Sequence, residues 1–194
     1  MKKALMTTAI LLVFAFGASA QVTTPVSLYL GGAMSVPSGT FNEGWQMGYH
    51  GLAGVGYKMA PSFQVAGKIE YHNFGFDMTD LLGLDGGATK VWMYGVDGRY
   101  AFGMPAVPFK PFLMAGTGFA RLQWDEFEGT SLITAALNEA IPDPVTKVYF
   151  NFGGGMELKT IPSFSLFVQA RYVSVATEGG SMSFIPMSIG VKFF

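Results

Sequence analysis

From residue 21 onward the chain holds no apolar run long and clean enough to cross a bilayer as a helix; Gly, Pro, Ser or a charged residue interrupts every one. Phe, Tyr, Val and Met nevertheless stay abundant, and they recur with period two, the spacing of a strand with one apolar face. In "FQVAGKIEY" (63–71), Phe63, Val65, Ile69 and Tyr71 share a face against Gln64, Lys68 and Glu70. In "WMYGVDGRYAF" (92–102), Trp92, Tyr94, Val96, Tyr100 and Phe102 oppose Gly95, Asp97 and Arg99. "FSLFVQARY" (164–172) sets Phe164, Leu166, Val168 and Tyr172 against Ser165, Gln169 and Arg171. Residues 149–158 set Phe150, Phe152, Met156 and Leu158 against Asn151 and Glu157.

Eight such segments are predicted, near 26–35, 45–58, 63–75, 90–102, 109–124, 147–158, 164–175 and 183–194. Each is about long enough to cross a bilayer as a tilted strand. Their connections alternate. "MAPS" (59–62), "GMPAVP" (103–108) and "TIPS" (160–163) are short and carry proline, whereas 36–44, 77–89, 125–146 and 176–182 are longer or more polar. Short turns at one end and long loops at the other are the pattern of an all-β, eight-stranded antiparallel up-and-down transmembrane barrel, with the short turns on the periplasmic side.

Alternation alone does not say which face looks inward, but the chemistry of the two faces does. The apolar face carries Tyr57, Tyr71, Trp92, Tyr100, Phe102 and Tyr172, as aromatic girdles at bilayer interfaces require. The polar face carries charges of both signs in mid-strand, Lys68, Glu70, Asp97, Arg99, Glu157 and Arg171, interleaved with Gly54, Gly56, Gly95, Gly153 and Gly155. Only 13% of the chain is charged, about half the share of a soluble globular domain. Eight strands enclose a space just wide enough for side chains to fill. The expectation is therefore a plugged lumen in which Lys68, Arg99 and Arg171 neutralise Glu70, Asp97 and Glu157, because an unpaired buried charge costs several kcal/mol. The glycines are read as serving tight barrel curvature.

The first twenty residues are read separately. Lys2 and Lys3, the apolar stretch 4–17 and Ala18-Ser19-Ala20 make a secretory signal peptide (1–20) cleaved before Gln21, which leaves residues 21–194 as the barrel domain. The chain contains no cysteine, which excludes disulfides, thiolate chemistry and a lipid-anchored lipoprotein. A formal net charge of −1 gives no electrostatic reason to expect nucleic acid.

The signal segment, "HGLAGVGYKMAPSFQVAGKIEY" (50–71), "FKPFLMAGTGFARL" (109–122) and the terminal Phe together resemble the small outer-membrane β-barrel superfamily, the OmpA/OmpX-like outer membrane protein beta-barrel domain. The resemblance implies localisation in the cell outer membrane and contact with outer-membrane lipids and lipopolysaccharide. It also implies a terminal Phe read by the barrel-assembly machinery. That role falls on Phe193 or Phe194: Ile189, Val191 and Phe193 are in phase, and Phe194 is out of phase with them.

Candidate chemistry is sparse. The two histidines lie in "HGL" (His50) and "HNF" (His72), so the His-x-Ser pair of lipid A deacylases is absent. His72 lies close in sequence to Asp77, Thr79 and Asp80, which keeps a rim triad open as the less favoured reading beside a lumen histidine bonded to a neighbour. "GVG", "GTG" and "GGG" lack the strand, helix and lysine of a phosphate loop. Loop 125–146 is acidic, with Asp125, Glu126, Glu128, Glu139 and Asp143, and "TSLITAALNEA" (130–140) reads as a short helix capping the barrel mouth. The acid spacing matches no calcium loop.

No catalytic residue, metal or cofactor is assigned. The expected protein is a monomeric, non-enzymatic outer-membrane barrel with a structural or surface-interaction role, its possible extracellular partner reached through loop 125–146. The alternatives are a lipid-modifying barrel enzyme, a narrow pore, or a soluble lipocalin-like carrier.

Overall fold

A computed structural model describes residues 25–76, 85–103, 108–128, 132–161, 163–177 and 180–194. The predicted signal segment 1–20, together with Asp77, Thr79 and Asp80, lies outside the described residues. The strands are β1 (Val26–Ser38), β2 (Gly48–Ala60), β3 (Phe63–Phe74), β4 (Asp85–Gly86), β5 (Thr89–Ala101), β6 (Phe109–Trp124), β7 (Phe127–Glu128), β8 (Val145–Ile161), β9 (Phe164–Thr177) and β10 (Gly180–Phe193). A 3-10 turn spans Gly39–Glu43 and one helix, α1, spans Leu132–Glu139.

Eight of the strands close into one barrel in the order β1-β10-β9-β8-β6-β5-β3-β2, and every neighbouring pair is antiparallel. Closure pairs the two ends of the chain, Leu28 opposite Phe193, so no strand edge is left open to lipid. Paired residues followed from Lys68 through Gly95 and Gly118 reach Tyr149 on β8. Followed the other way, through Gly54, Tyr29, Lys192 and Ser165, they reach Lys159 on the same strand. That ten-residue offset is the barrel's shear, and with eight strands it tilts them by about 40°.

The barrel is apolar outside and keeps its mid-strand charges inside. Val96, Tyr100 and Ile189 are 52%, 50% and 60% exposed, whereas Asp97 and Glu70 are 2% and 1% exposed. Such an exterior suits hydrocarbon and excludes the soluble carrier, whose apolar face would turn inward. Tyr57, Tyr100 and Phe102 ring the inner end, and Tyr71 packs on Trp92 at 4.8 Å toward the outer end. Tyr172 sits mid-strand against Phe152.

The outer connections carry structure of their own. β4 pairs with β7, and Asn138 of α1 grips Phe127 through both its N–H (2.8 Å) and its carbonyl (3.0 Å). The 176–182 connection is shorter than its polarity suggests: β9 and β10 stay paired up to Thr177 opposite Gly180. The ladder persists because it places Val173, Val175, Met182 and Phe184 into the buried interior.

Candidate functional site: a layered lumen

The inward-facing side chains form four layers from the outer end to the inner end. The outermost is an apolar plug. Phe41 of the 3-10 turn, Phe74, Val91, Leu122, Val175 and Phe184 pack there with Met93 and Tyr149. Phe74 meets Phe41 at 5.0 Å and Phe184 at 5.2 Å, both edge-to-face, the favoured aromatic geometry. The ring chain continues upward from Phe41 through Trp45 and Phe76 to Phe127 in the outer ribbon. The loops are thus bolted to the lumen core.

Two glycines make room for the largest member of the plug. A Cβ on Gly95 would strike the Tyr149 hydroxyl, and one on Gly118 would come within 2.9 Å of the same ring. Gly31 and Gly190, paired across β1 and β10, leave the same kind of slot for Phe167. Curvature alone does not account for these lumen glycines: each lies where a large inward side chain crosses the neighbouring strands.

Beneath the plug is a histidine–serine layer. Ser35 Oγ lies 3.1 Å from His50 Nδ1 and 2.8 Å from His72 Nδ1. His50 Nε2 meets Ser188 Oγ at 2.8 Å, and His72 Nε2 approaches Glu70 Oε2 at 3.3 Å. Ser35, His72 and Glu70 have the connectivity of a hydrolase triad. All three are sealed, however, at 0%, 0% and 1% exposure under stacked Phe74, so no lipid reaches the hydroxyl. His72 therefore turns into the lumen toward Ser35 and Glu70.

The third layer is ionic. Lys68 Nζ lies 2.7 Å from Asp97 and 3.4 Å from Glu70, and Arg171 Nη2 lies 2.7 Å from the same Glu70. Asn151 donates to Asp97 at 2.9 Å. Four of the six sequence-selected charges therefore converge in one contact network. Below them lies a cavity of about 20 Å³, room for roughly one water molecule.

The other two selected charges are placed differently from the expected pairing. Arg99 is joined by no salt bridge to a carboxylate among the described residues. Its guanidinium lies over the rings of Phe112 at 4.0 Å and Tyr29 at 4.6 Å, because Lys68 already occupies Asp97. Glu157 takes Lys192, at 3.0 Å, in place of an arginine. Sequence reasoning passed over Lys192, although Ser188, Gly190 and Lys192 alternate against Ile189, Val191 and Phe193 and so declare the lumen parity. Phe193 faces outward beside Phe164, and Phe194 turns in under Lys192 Nζ at 4.7 Å.

The fourth layer opens at the inner end. A cup of about 590 Å³ is lined by Ser27, Lys58, Gln64, Arg99, Lys110, Phe112, Glu157, Lys159, Lys192 and Phe194, among others. At the opposite end the described acidic residues Glu43, Glu126, Glu139 and Asp143 are exposed, and Asp125 pairs with Lys90 at 2.6 Å. No cluster of metal-ligating side chains occurs among the described residues.

A closed antiparallel barrel with an apolar exterior and an ion-paired interior defines an integral outer-membrane β-barrel. The sequence profile described as "Outer membrane protein beta-barrel domain" matches residues 8–193, and the chain belongs to that family. Comparison with curated proteins finds no match. Among solved structures, Neisserial surface protein A (NspA) superposes with a TM-score of 0.64 at 17% identity, covering 88% of this chain and 97% of that one. The N-terminal barrel of Pseudomonas aeruginosa OprF gives 0.49 at 15% identity, covering 87% and 96%. Yersinia pestis Ail, solved with the heparin analogue sucrose octasulfate, gives 0.48 at 14% identity, covering 87% and 96%. At these identities the likeness is one of fold.

Proposed function

We propose that this chain is a sealed, non-catalytic outer-membrane barrel that holds an acidic, structured loop surface toward the exterior. The observation that carries the reading is the continuity of packing from the lumen plug into the loops, Phe184–Phe74–Phe41–Trp45–Phe76–Phe127. A pore needs that axis open, and an enzyme needs a reactive group at its end. Here both are filled by rings, and the loops above them are braced as a display surface. Through loop 125–146 the exposed Glu126, Glu139 and Asp143 favour a cationic partner outside the cell. The proposal includes export by cleavage of residues 1–20, assembly of the barrel through its terminal Phe193 or Phe194, and a monomer surrounded by lipid and lipopolysaccharide.

The sealed Ser35–His72–Glu70 chain is the one arrangement that favours a lipid-modifying enzyme. The refolded, heat-modifiable barrel in planar bilayers should give no stable conductance and leave lipid A unaltered, while a Glu139→Cys variant is labelled on intact cells. Steady conductance, or lipid A cleavage lost in Ser35→Ala, would sink the reading.

A further inference from the structure

The charges of this molecule are sorted along the barrel axis. The inner cup carries Lys58, Arg99, Lys110, Lys159 and Lys192 against one side-chain carboxylate among the described residues, that of Glu157, and Lys192 already holds it. Lys58, Lys110 and Lys159 are exposed at the rim, and no salt bridge joins them to a carboxylate among the described residues. At the base Arg99 is 6% exposed, and its Nη2 has no hydrogen-bond partner. The rings of Phe112 and Tyr29 cover the guanidinium faces, so an acceptor can meet this side chain only along its N–H edge, and Arg99 is part of the cup's lining. A buried, unpartnered guanidinium edge is costly unless an acceptor meets it.

We propose that the inner cup is a binding site for a small water-soluble oxyanion, a phosphate or polycarboxylate, seated on Arg99 and surrounded by Lys58, Lys110 and Lys159. The guanidinium fork matches the paired oxygens of either group. The low-dielectric walls of a closed lumen concentrate at one mouth the field of four cations that no side-chain carboxylate pairs among the described residues. A volume of about 590 Å³ lies within the range of small-ligand pockets. The cup opens along the barrel axis, toward the periplasmic water, and all eight staves are hydrogen-bonded side to side. A soluble anion enters from below without crossing the wall, whereas a leaflet lipid would have to leave the bilayer.

The test is calorimetric titration of the refolded barrel in phosphatidylcholine nanodiscs with inorganic pyrophosphate and with citrate, at fixed ionic strength. Saturable one-site binding is expected. It should be about tenfold weaker in Arg99→Lys, which keeps the charge and loses the fork, and about threefold weaker in the rim variant Lys58→Gln. Lys58 is exposed and has no core role, so that variant keeps the test open should the Arg99 change disturb folding. Repeating the titration in nanodiscs containing phosphatidylglycerol separates the sources. Unchanged affinity supports a soluble anion, and competition overturns it in favour of a lipid phosphate. No saturable binding, or equal affinity in all three proteins, would overturn the site itself.

Discussion

The outer and inner halves of the lumen are made from the same eight strands and the same alternation, yet one is packed shut with rings and the other is an open cup of cations. In the outer half the inward positions are Phe74, Val91, Leu122, Val175 and Phe184, and all are buried. In the inner half they include Lys58, Lys110 and Lys159, exposed at the rim, with a floor of buried Arg99, Phe112 and Lys192. The difference shows that alternation fixes only which residues face the lumen; what the lumen does is set by side-chain size and charge level by level. The ionic layer around Glu70 lies between the halves and is the boundary between dry and wet.

The largest expected effect tests that boundary from the dry side. Glu70 contacts Arg171, Lys68 and His72, and Arg171 Nε and Nη1 have no hydrogen-bond partner. Glu70→Ala should therefore destabilise the barrel by about 3–5 kcal/mol, the penalty for leaving a buried charge without its counter-ion. Urea unfolding in micelles, followed by tryptophan emission, measures it. A loss under about 1 kcal/mol would mean that water reaches the layer and that the two halves do not differ as described.

A smaller effect tests the packing of the plug. Gly95→Ala places a Cβ against the Tyr149 hydroxyl and 2.7 Å from the Thr117 carbonyl oxygen, an overpacking that should cost about 1–3 kcal/mol. Adding Tyr149→Phe removes the first of these contacts and should recover a measurable part in a double-mutant cycle. If the two changes were simply additive, the glycine would serve strand curvature and not the slot.

The barrel itself was legible because its causes are local. Period-two runs such as "FSLFVQARY" declare strands, and turns such as "MAPS" end them. The inside-out assignment followed from which face carries charge. The lumen partners were less legible because they depend on the shear. Glu157 has Lys110 directly opposite on β6, yet its side chain reaches Lys192, two strands away on β10. Only the ten-residue stagger brings that lysine level. The same stagger lays Tyr149 across Gly95, so no one-strand reading distinguishes a glycine that bends a strand from one that receives a ring.

The smallest expected effect tests the boundary from the wet side. Glu157 and Lys192 form an ion pair like those above, but they face the open cup, and the rings of Tyr29 and Phe194 lie 5.4 and 4.7 Å from the ammonium. Water and those ring faces can take over from the lost carboxylate, so Glu157→Gln should cost about 1 kcal/mol or less, shrinking further as salt is raised. The same substitution removes the one side-chain carboxylate of the cup among the described residues and should tighten pyrophosphate binding, the opposite of what loss of a structural strut would do. A Glu157→Gln penalty as large as that at Glu70, with no gain in anion affinity, would make the inner mouth a second dry layer and erase the contrast between the halves.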